Sequence, residues 1–135
     1  MKTYHYKISK TGWGIFISIT ANVYTNIEYN NSMFKIDNNF YVDFSEVPLI
    51  TSDKIKENLL VSGISWVKKY IKFEGSMVLK IHKLDINFTD FQNEGLYYAI
   101  AFWLSKYFTF EMPHYNCYFN KESNTYIFPD IVPIV

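Results

Sequence analysis

Apolar and polar residues alternate strictly over residues 15–25. Ile15, Ile17, Ile19, Ala21 and Val23 share one parity; Phe16, Ser18, Thr20, Asn22 and Tyr24 share the other. A period of two gives a strand with one face for the core. Residues 4–8 read as a strand before it, ended by Lys10-Thr11-Gly12. After Asn30-Asn31-Ser32, residues 33–36 and 40–44 read as a hairpin about Asp37-Asn38-Asn39, because Asn and Asp tolerate the left-handed backbone of such turns. Residues 77–88 form a further strand. Leu79 and Ile81 have one parity and Leu84, Ile86 and Phe88 the other, so the phase flips near Lys83 and predicts a bulge there.

Between these strands the period changes to that of a helix. Ser52 reads as an N-cap for residues 53–72. Ile55, Leu59, Gly63, Trp66 and Tyr70 make one stripe, and Leu60, Ile64, Val67 and Ile71 the adjacent one. Lys54, Glu57, Lys68, Lys69 and Lys72 fall on the solvent side. Gly63 costs about 1 kcal/mol of helix propensity, which predicts that another element approaches there. A second helix is predicted over residues 90–107, opened by a capping box of Thr89 and Gln92 with Asp90 and Glu94 in its first turn. Its centre, Leu96 to Leu104, is apolar all round, so it is either buried between layers or leaves a face for a partner. Residues 115–119 and 126–128 read as a closing hairpin around Lys121-Glu122-Ser123-Asn124, followed by an irregular tail. The expected core includes Ile17, Ile19, Leu59, Ile64, Ile81, Ile86, Ile100 and Trp103.

This order predicts a single α+β domain over residues 1–135. Its antiparallel or mixed sheet has four to six strands, with helices 53–72 and 90–107 on one face as a split βαβ arrangement. The stretch 40–44, the helix 55–70, the strand 78–88 and Asp90…Glu94-Gly95-Leu96…Ala99…Ala101 carry a resemblance. That layout resembles the fourth domain of elongation factor G, of the ribosomal-protein-S5-domain-2 type. It covers about half the chain and bears on fold alone.

Composition narrows the function classes. The chain has 12 Tyr, 12 Phe and 3 Trp, against 3 His, 1 Cys and no Arg. AT-rich codons account for part of that bias. With 13 basic and 13 acidic residues the net charge is zero, which gives nucleic acid or an anionic membrane no global attraction. The distribution is uneven: residues 51–88 hold seven Lys and four carboxylates, and residues 89–135 two Lys and five. One Cys excludes an internal disulfide framework. Residues 1–7 lack the apolar run of a signal peptide, and no stretch reaches the roughly 20 apolar residues of a membrane span. The cytoplasm is the expected compartment.

Candidate chemistry is sparse. His114 and Cys117 could pair as a nucleophile or begin a metal site, but nothing completes the constellation, and a buried thiol beside a hydrogen-bonded imidazole is the plainer reading. His82 and Asp85 share a strand on nominally opposite faces, joined only by a bulge at Lys83; two solvent-facing residues are the plainer reading, as for His5. Asp90 and Glu94 could ligate a cation, although their helix-start position explains them. Trp66, Tyr70 and Phe73 among lysines suggest a nucleic-acid stacking surface, yet their helical spacing suits the core. No catalytic residue, metal or cofactor is assigned.

Surplus aromatic surface without an assembled active site points to a partner. The expected function is a small protein-binding module that contacts a heterologous protein through Asp90, Glu94, Glu111, Tyr115 and Glu122; a homodimer would use the same surplus. In size and composition the chain resembles the small immunity proteins of bacterial toxin–immunity systems. That resemblance implies stoichiometric inhibition of a toxin domain. The alternative is a small-molecule binder or enzyme with a pocket between helix 90–107 and the sheet.

Overall fold

The computed structural model of the chain describes residues 1–10, 13–87 and 90–131. β1 (Lys2–Lys10) and β2 (Trp13–Thr25) form the first hairpin; β3 (Met33–Asp37) and β4 (Phe40–Asp43) form the second. α1 (Pro48–Thr51), α2 (Lys54–Val67) and a 3-10 turn (Lys68–Tyr70) lead to β5 (Met77–Ile86). Then come α3 (Gly95–Phe108) and a small hairpin of β6 (Tyr118–Asn120) and β7 (Thr125–Ile127). The class is α+β: five strands in the order β1-β2-β5-β4-β3, with β6-β7 as a separate two-stranded sheet.

β4 and β5 are direct parallel neighbours, and every other pair is antiparallel. The βαβ unit made with α2 is therefore not split as expected. Val42 pairs with Leu79, and both side chains are fully buried, so apolar contact holds the two strands together with no strand between them. Asn39, at φ +62, makes the tight turn between β3 and β4, and Asn124, at φ +55, serves β6 and β7. Asn accepts this backbone at small steric cost.

Alternation along β2 sorts the sheet into two faces. Ile15, Ile17, Ile19 and Ala21 are buried in the core with Tyr6, Val42, Leu79 and Ile81. Leu59, Leu60, Ile64 and Val67 of α2 and Ile100 and Trp103 of α3 join the same cluster, so both helices lie on that side. Of the expected core, only Ile86 is partly exposed, at the end of β5.

α2 begins one residue later than the Ser52 reading. Asp53 is the N-cap, accepting from the backbone N–H groups of Ile55 and Lys56, while Ser52 closes the short α1. Val47 and Pro48 start α1, and Pro at the first helical position fits because its missing N–H has no partner there anyway. The inner stripe Leu60, Ile64, Val67 and Ile71 is buried as expected, whereas Ile55 at the outer edge is 54% exposed. Glu57, expected on the solvent side, is buried and holds the Lys54 ammonium at 3.1 Å. A buried carboxylate needs such a partner.

α3 is shorter than the predicted 90–107. Residues 90–94 lie outside the helix, with a turn at 93–94, and Glu94 is the N-cap without a side-chain cap bond. Thr89, which the capping box needs, lies outside the described residues, as do Phe88, Gly12 and the tail from residue 132. Gln92 has a different partner: its Nε2 donates to the Tyr126 carbonyl at 2.7 Å and its Oε1 accepts the Tyr126 N–H at 2.8 Å. It thus pairs with β7 as a strand residue would.

α3 is enclosed on most sides, with only Lys106 exposed and Phe102 half-buried beside it. Toward the sheet, a Cβ at Gly95 would stand 2.9 Å from Ile15 Cγ2 and 3.0 Å from Ile17 Cδ1. Trp103 is fully buried beside Tyr4, and its indole N–H donates to the Lys2 carbonyl at 3.1 Å. On the α2 side, a Cβ at Gly63 would collide with the Tyr97 carbonyl oxygen and lie 2.8 Å from Ile100 Cγ2, so Gly63 permits the close approach predicted for it. On a third side the Tyr98 ring stacks on Tyr115 at 3.9 Å and on Phe128 at 5.4 Å. Trp66 meets Tyr98 and Tyr115 edge-on. The Tyr115 hydroxyl is hydrogen-bonded to that of Tyr6 at 2.5 Å. At the far end Thr109 takes a left-handed backbone at φ +56 and its N–H returns to the Ser105 carbonyl, which stops the helix.

Two stability predictions follow from this enclosure. By propensity alone Gly63→Ala would stabilise α2 by about 1 kcal/mol. The contact with α3 predicts the opposite sign, a lower urea midpoint, because backbone cannot yield as a side chain can. An unchanged or raised midpoint contradicts the packing.

Burial pushes the phenols of Tyr6, Tyr98 and Tyr115 above their ordinary value. The folded state then holds these protons more tightly than the unfolded chain, which releases them near pH 10. Stability should be complete below about pH 10 and fall as the pH rises past it, less steeply in Tyr115→Phe. Tyrosinate absorbance for these rings should emerge only with unfolding. Their reversible ionisation with the exposed tyrosines, at unchanged stability, contradicts this.

Candidate functional site

With both helices on one side, no helix among the described residues lies on the opposite face of the sheet; the β2–β3 connection crosses one end of it, where Val78 and Asp43 are buried. The side chains of this face follow from the register. Thr3 pairs with Thr20 and His5 with Ser18, while Val78 faces Tyr24 and Asp43 faces Lys80. Neighbouring polar groups bond across the strands: Thr3 with Thr20 at 2.7 Å, and His5 Nδ1 with Ser18 Oγ at 2.5 Å. The His5 ring also stacks on Phe16.

The predicted bulge defines the centre of this face. Thr20 pairs with Lys83 and Ala21 with Ile81, so His82 is the extra residue of β5. A bulged residue is re-aimed relative to the regular pleat. His82 Nδ1 lies 2.6 Å from Glu46 Oε2, and its Nε2 lies 3.2 Å from the Tyr24 hydroxyl. In the neutral ring Nδ1–H donates to the carboxylate, and Nε2 accepts from Tyr24. Glu46 Oε1 takes the Lys80 ammonium at 3.3 Å. The His82 hydrogen bond first, and Lys80 after it, hold the Glu46 carboxyl below its ordinary range.

A cleft of about 400 Å³ opens beside this chain, lined by Tyr24, Ile27, Asn30, Met33, Asp43, Val78 and Lys80. The connection from β2 to β3 builds its outer wall. β3 is the far edge strand, so this segment must cross the ends of β5 and β4. Tyr29 within it packs on Tyr41 at 4.8 Å while remaining 52% exposed, and Ile27 is also exposed.

The residues singled out from sequence are scattered. Asp90 is half-buried beside the β1–β2 hairpin, its carbonyl accepting the Phe16 N–H at 2.9 Å. Glu94 is half-buried at the start of α3, with Gln92 Nε2 on its carboxylate at 2.8 Å. Glu122 is exposed in the β6–β7 turn, which Gln92 ties to the same end of the helix. Glu111 follows the other end of α3, roughly 21 Å away along a 14-residue helix. Tyr115 belongs to the internal aromatic cluster. The five do not form one patch, and α3 gives them no shared apolar centre.

Asp85 is solvent-facing as expected and sits 3.4 Å from the Lys83 ammonium, whereas His82 is half-buried and holds the Glu46 carboxylate. His114 is exposed and Cys117 half-buried. Among the described residues no three His, Cys, Asp or Glu are grouped to hold a metal, and no helix is long and apolar enough to cross a membrane. Trp66 and Phe73 pack inward, on Tyr98 and Phe40, and Tyr70 stacks on Phe110. The space expected for a pocket between α3 and the sheet is filled by Ile15, Ile17 and Trp103.

Among the described residues these features define a two-layer α+β domain with one sheet face free of helices. No protein-family model, curated protein or solved structure matches the chain.

Glu46 provides a direct check of the site. A carboxyl whose folded-state value is depressed contributes stability above the carboxylate range and loses it as the pH falls through that lowered value. By carboxyl NMR, Glu46 should titrate below the ordinary glutamate range and move up toward it in His82→Ala. A Glu46 midpoint that does not respond contradicts the His82 hydrogen bond as the main cause.

Proposed function

We propose that this domain binds another protein through the helix-free face of its sheet, acting as a stoichiometric inhibitor of the immunity-protein kind. The observation that carries the reading is the make-up of that face. Exposed Phe16 lies on that face, exposed Ile27 and Tyr29 lie on the connection that borders it, and the polar run Tyr24–His82–Glu46 crosses it. Large aromatic side chains with few rotatable bonds give contact area at low entropic cost, and interlinked polar groups fix register. Docked there, a toxin domain would have its active site covered by the sheet.

One observation favours a second reading. A carboxylate–imidazole–phenol chain at the edge of a cleft is suited to moving a proton, the requirement of a small-molecule enzyme. That activity would reside on the free face, away from α3.

The two readings separate experimentally. Co-expressed with the protein encoded by the neighbouring gene, the domain should form a one-to-one complex and relieve growth inhibition. Phe16→Asp and Tyr29→Asp, both at exposed positions, should each weaken that complex by about tenfold or more. A complex indifferent to both changes, or no complex at all, overturns the proposal.

A further inference from the structure

The cleft under the β2–β3 connection carries its own charge signature. Asp43 lines it while only 5% exposed. Its Oδ1 accepts the Ser45 N–H at 2.8 Å, and its second oxygen has no hydrogen-bond partner among the described residues. Lys80 is the register neighbour of Asp43, yet its ammonium turns to Glu46 at 3.3 Å. Glu46 thus holds the only cation lining the cleft among the described residues, and Asp43, the more buried carboxylate, has no ion pair there. A carboxylate oxygen that opens into a largely apolar cleft without an ion pair gains from an incoming cation. The walls suit the stem of such a group, because Ile27, Met33 and Val78 are apolar and Tyr24 offers a ring.

Building on the sheet-face reading above, we infer that this cleft is the socket for a basic side chain of the partner. Its guanidinium or ammonium meets the free oxygen of Asp43, and its methylenes lie along Met33 and Val78. Arginine and lysine share that chemistry. Arginine adds a planar head that can stack on Tyr24.

The test uses the isolated domain and three probes: N-acetyl-argininamide, N-acetyl-lysinamide and N-acetyl-leucinamide. Amide shifts at Met33, Asp43, Val78 and Lys80 should follow the two cationic probes and ignore the leucine one. Asp43→Asn should weaken the response about tenfold or more, the scale of one charge-assisted hydrogen bond. Its amide oxygen still accepts from Ser45, so the fold is kept. Lys80→Met should tighten binding, because it frees Glu46 to add a second negative charge. Equal response to all three probes, or binding indifferent to Asp43→Asn, overturns the inference. So does N-acetyl-aspartate binding that depends on Lys80, which would make the socket anionic in preference. A partner complex that forms through Phe16 and Tyr29 but is unaffected by Asp43→Asn overturns the socket alone and leaves the sheet-face reading standing.

Discussion

A helix without a polar face cannot stand on a surface, and α3 is such a helix. Leu96, Tyr98, Ala99, Ile100, Ala101, Trp103 and Leu104 are all buried, and they point in every direction around its axis. Each large side chain left in water would forgo about 1.5–3 kcal/mol, so the remaining elements are arranged to enclose it. The sheet supplies one wall through Ile15 and Ile17, α2 a second by way of Gly63, and the segment from Tyr115 to Phe128 the third. Small residues stand where backbones must meet, and rings stand where a gap must be filled. The aromatic wealth of the sequence is spent largely on this enclosure.

That use of the helices leaves the far side of the sheet as the surface with room for function. Strand order then decides what lies there. Because β5 runs between β2 and β4, a bulge in it brings His82 within reach of Tyr24 from one neighbour and Glu46 beyond the other. One extra residue in the central strand links three elements that are distant in sequence. The segment from β2 to the far edge strand has to cross the sheet, which raises a wall and makes a cleft from an otherwise open surface. The site therefore depends on sheet topology as much as on its side chains.

Local features were legible in the amino-acid pattern, and non-local ones were not. Alternation over residues 15–25 located β2 because one face is core and the other open. Asn39 and Asn124 marked turns because few residues accept their backbone. The parity flip near Lys83 announced the bulge, and Gly63 announced a close approach without saying which element makes it. The direct pairing of β4 with β5 left no local trace, so a split arrangement fitted the same order of elements. For the same reason Glu46, 36 residues from His82, could not be recognised as its partner, and His82 looked solvent-facing. Gln92 looked like half of a capping box because its amide serves a strand edge equally well. Periodicity also reports which residues are apolar without saying what covers them. The acidic residues flanking α3 therefore looked like the rim of one patch, when Glu111 and Glu122 sit toward opposite ends.

Native-state hydrogen exchange across α3 tests the enclosure most directly. If sheet, α2 and the C-terminal segment wall the helix together, the amides from Ala99 to Leu104 exchange only through global unfolding. Their opening free energy and urea dependence then equal those of the whole domain. Exchange of the same amides through a smaller opening, with weak urea dependence and with Tyr115 to Phe128 exchanging alongside, would contradict the account. It would show the third wall detaching on its own, and α3 would then have an apolar face free for a partner after all.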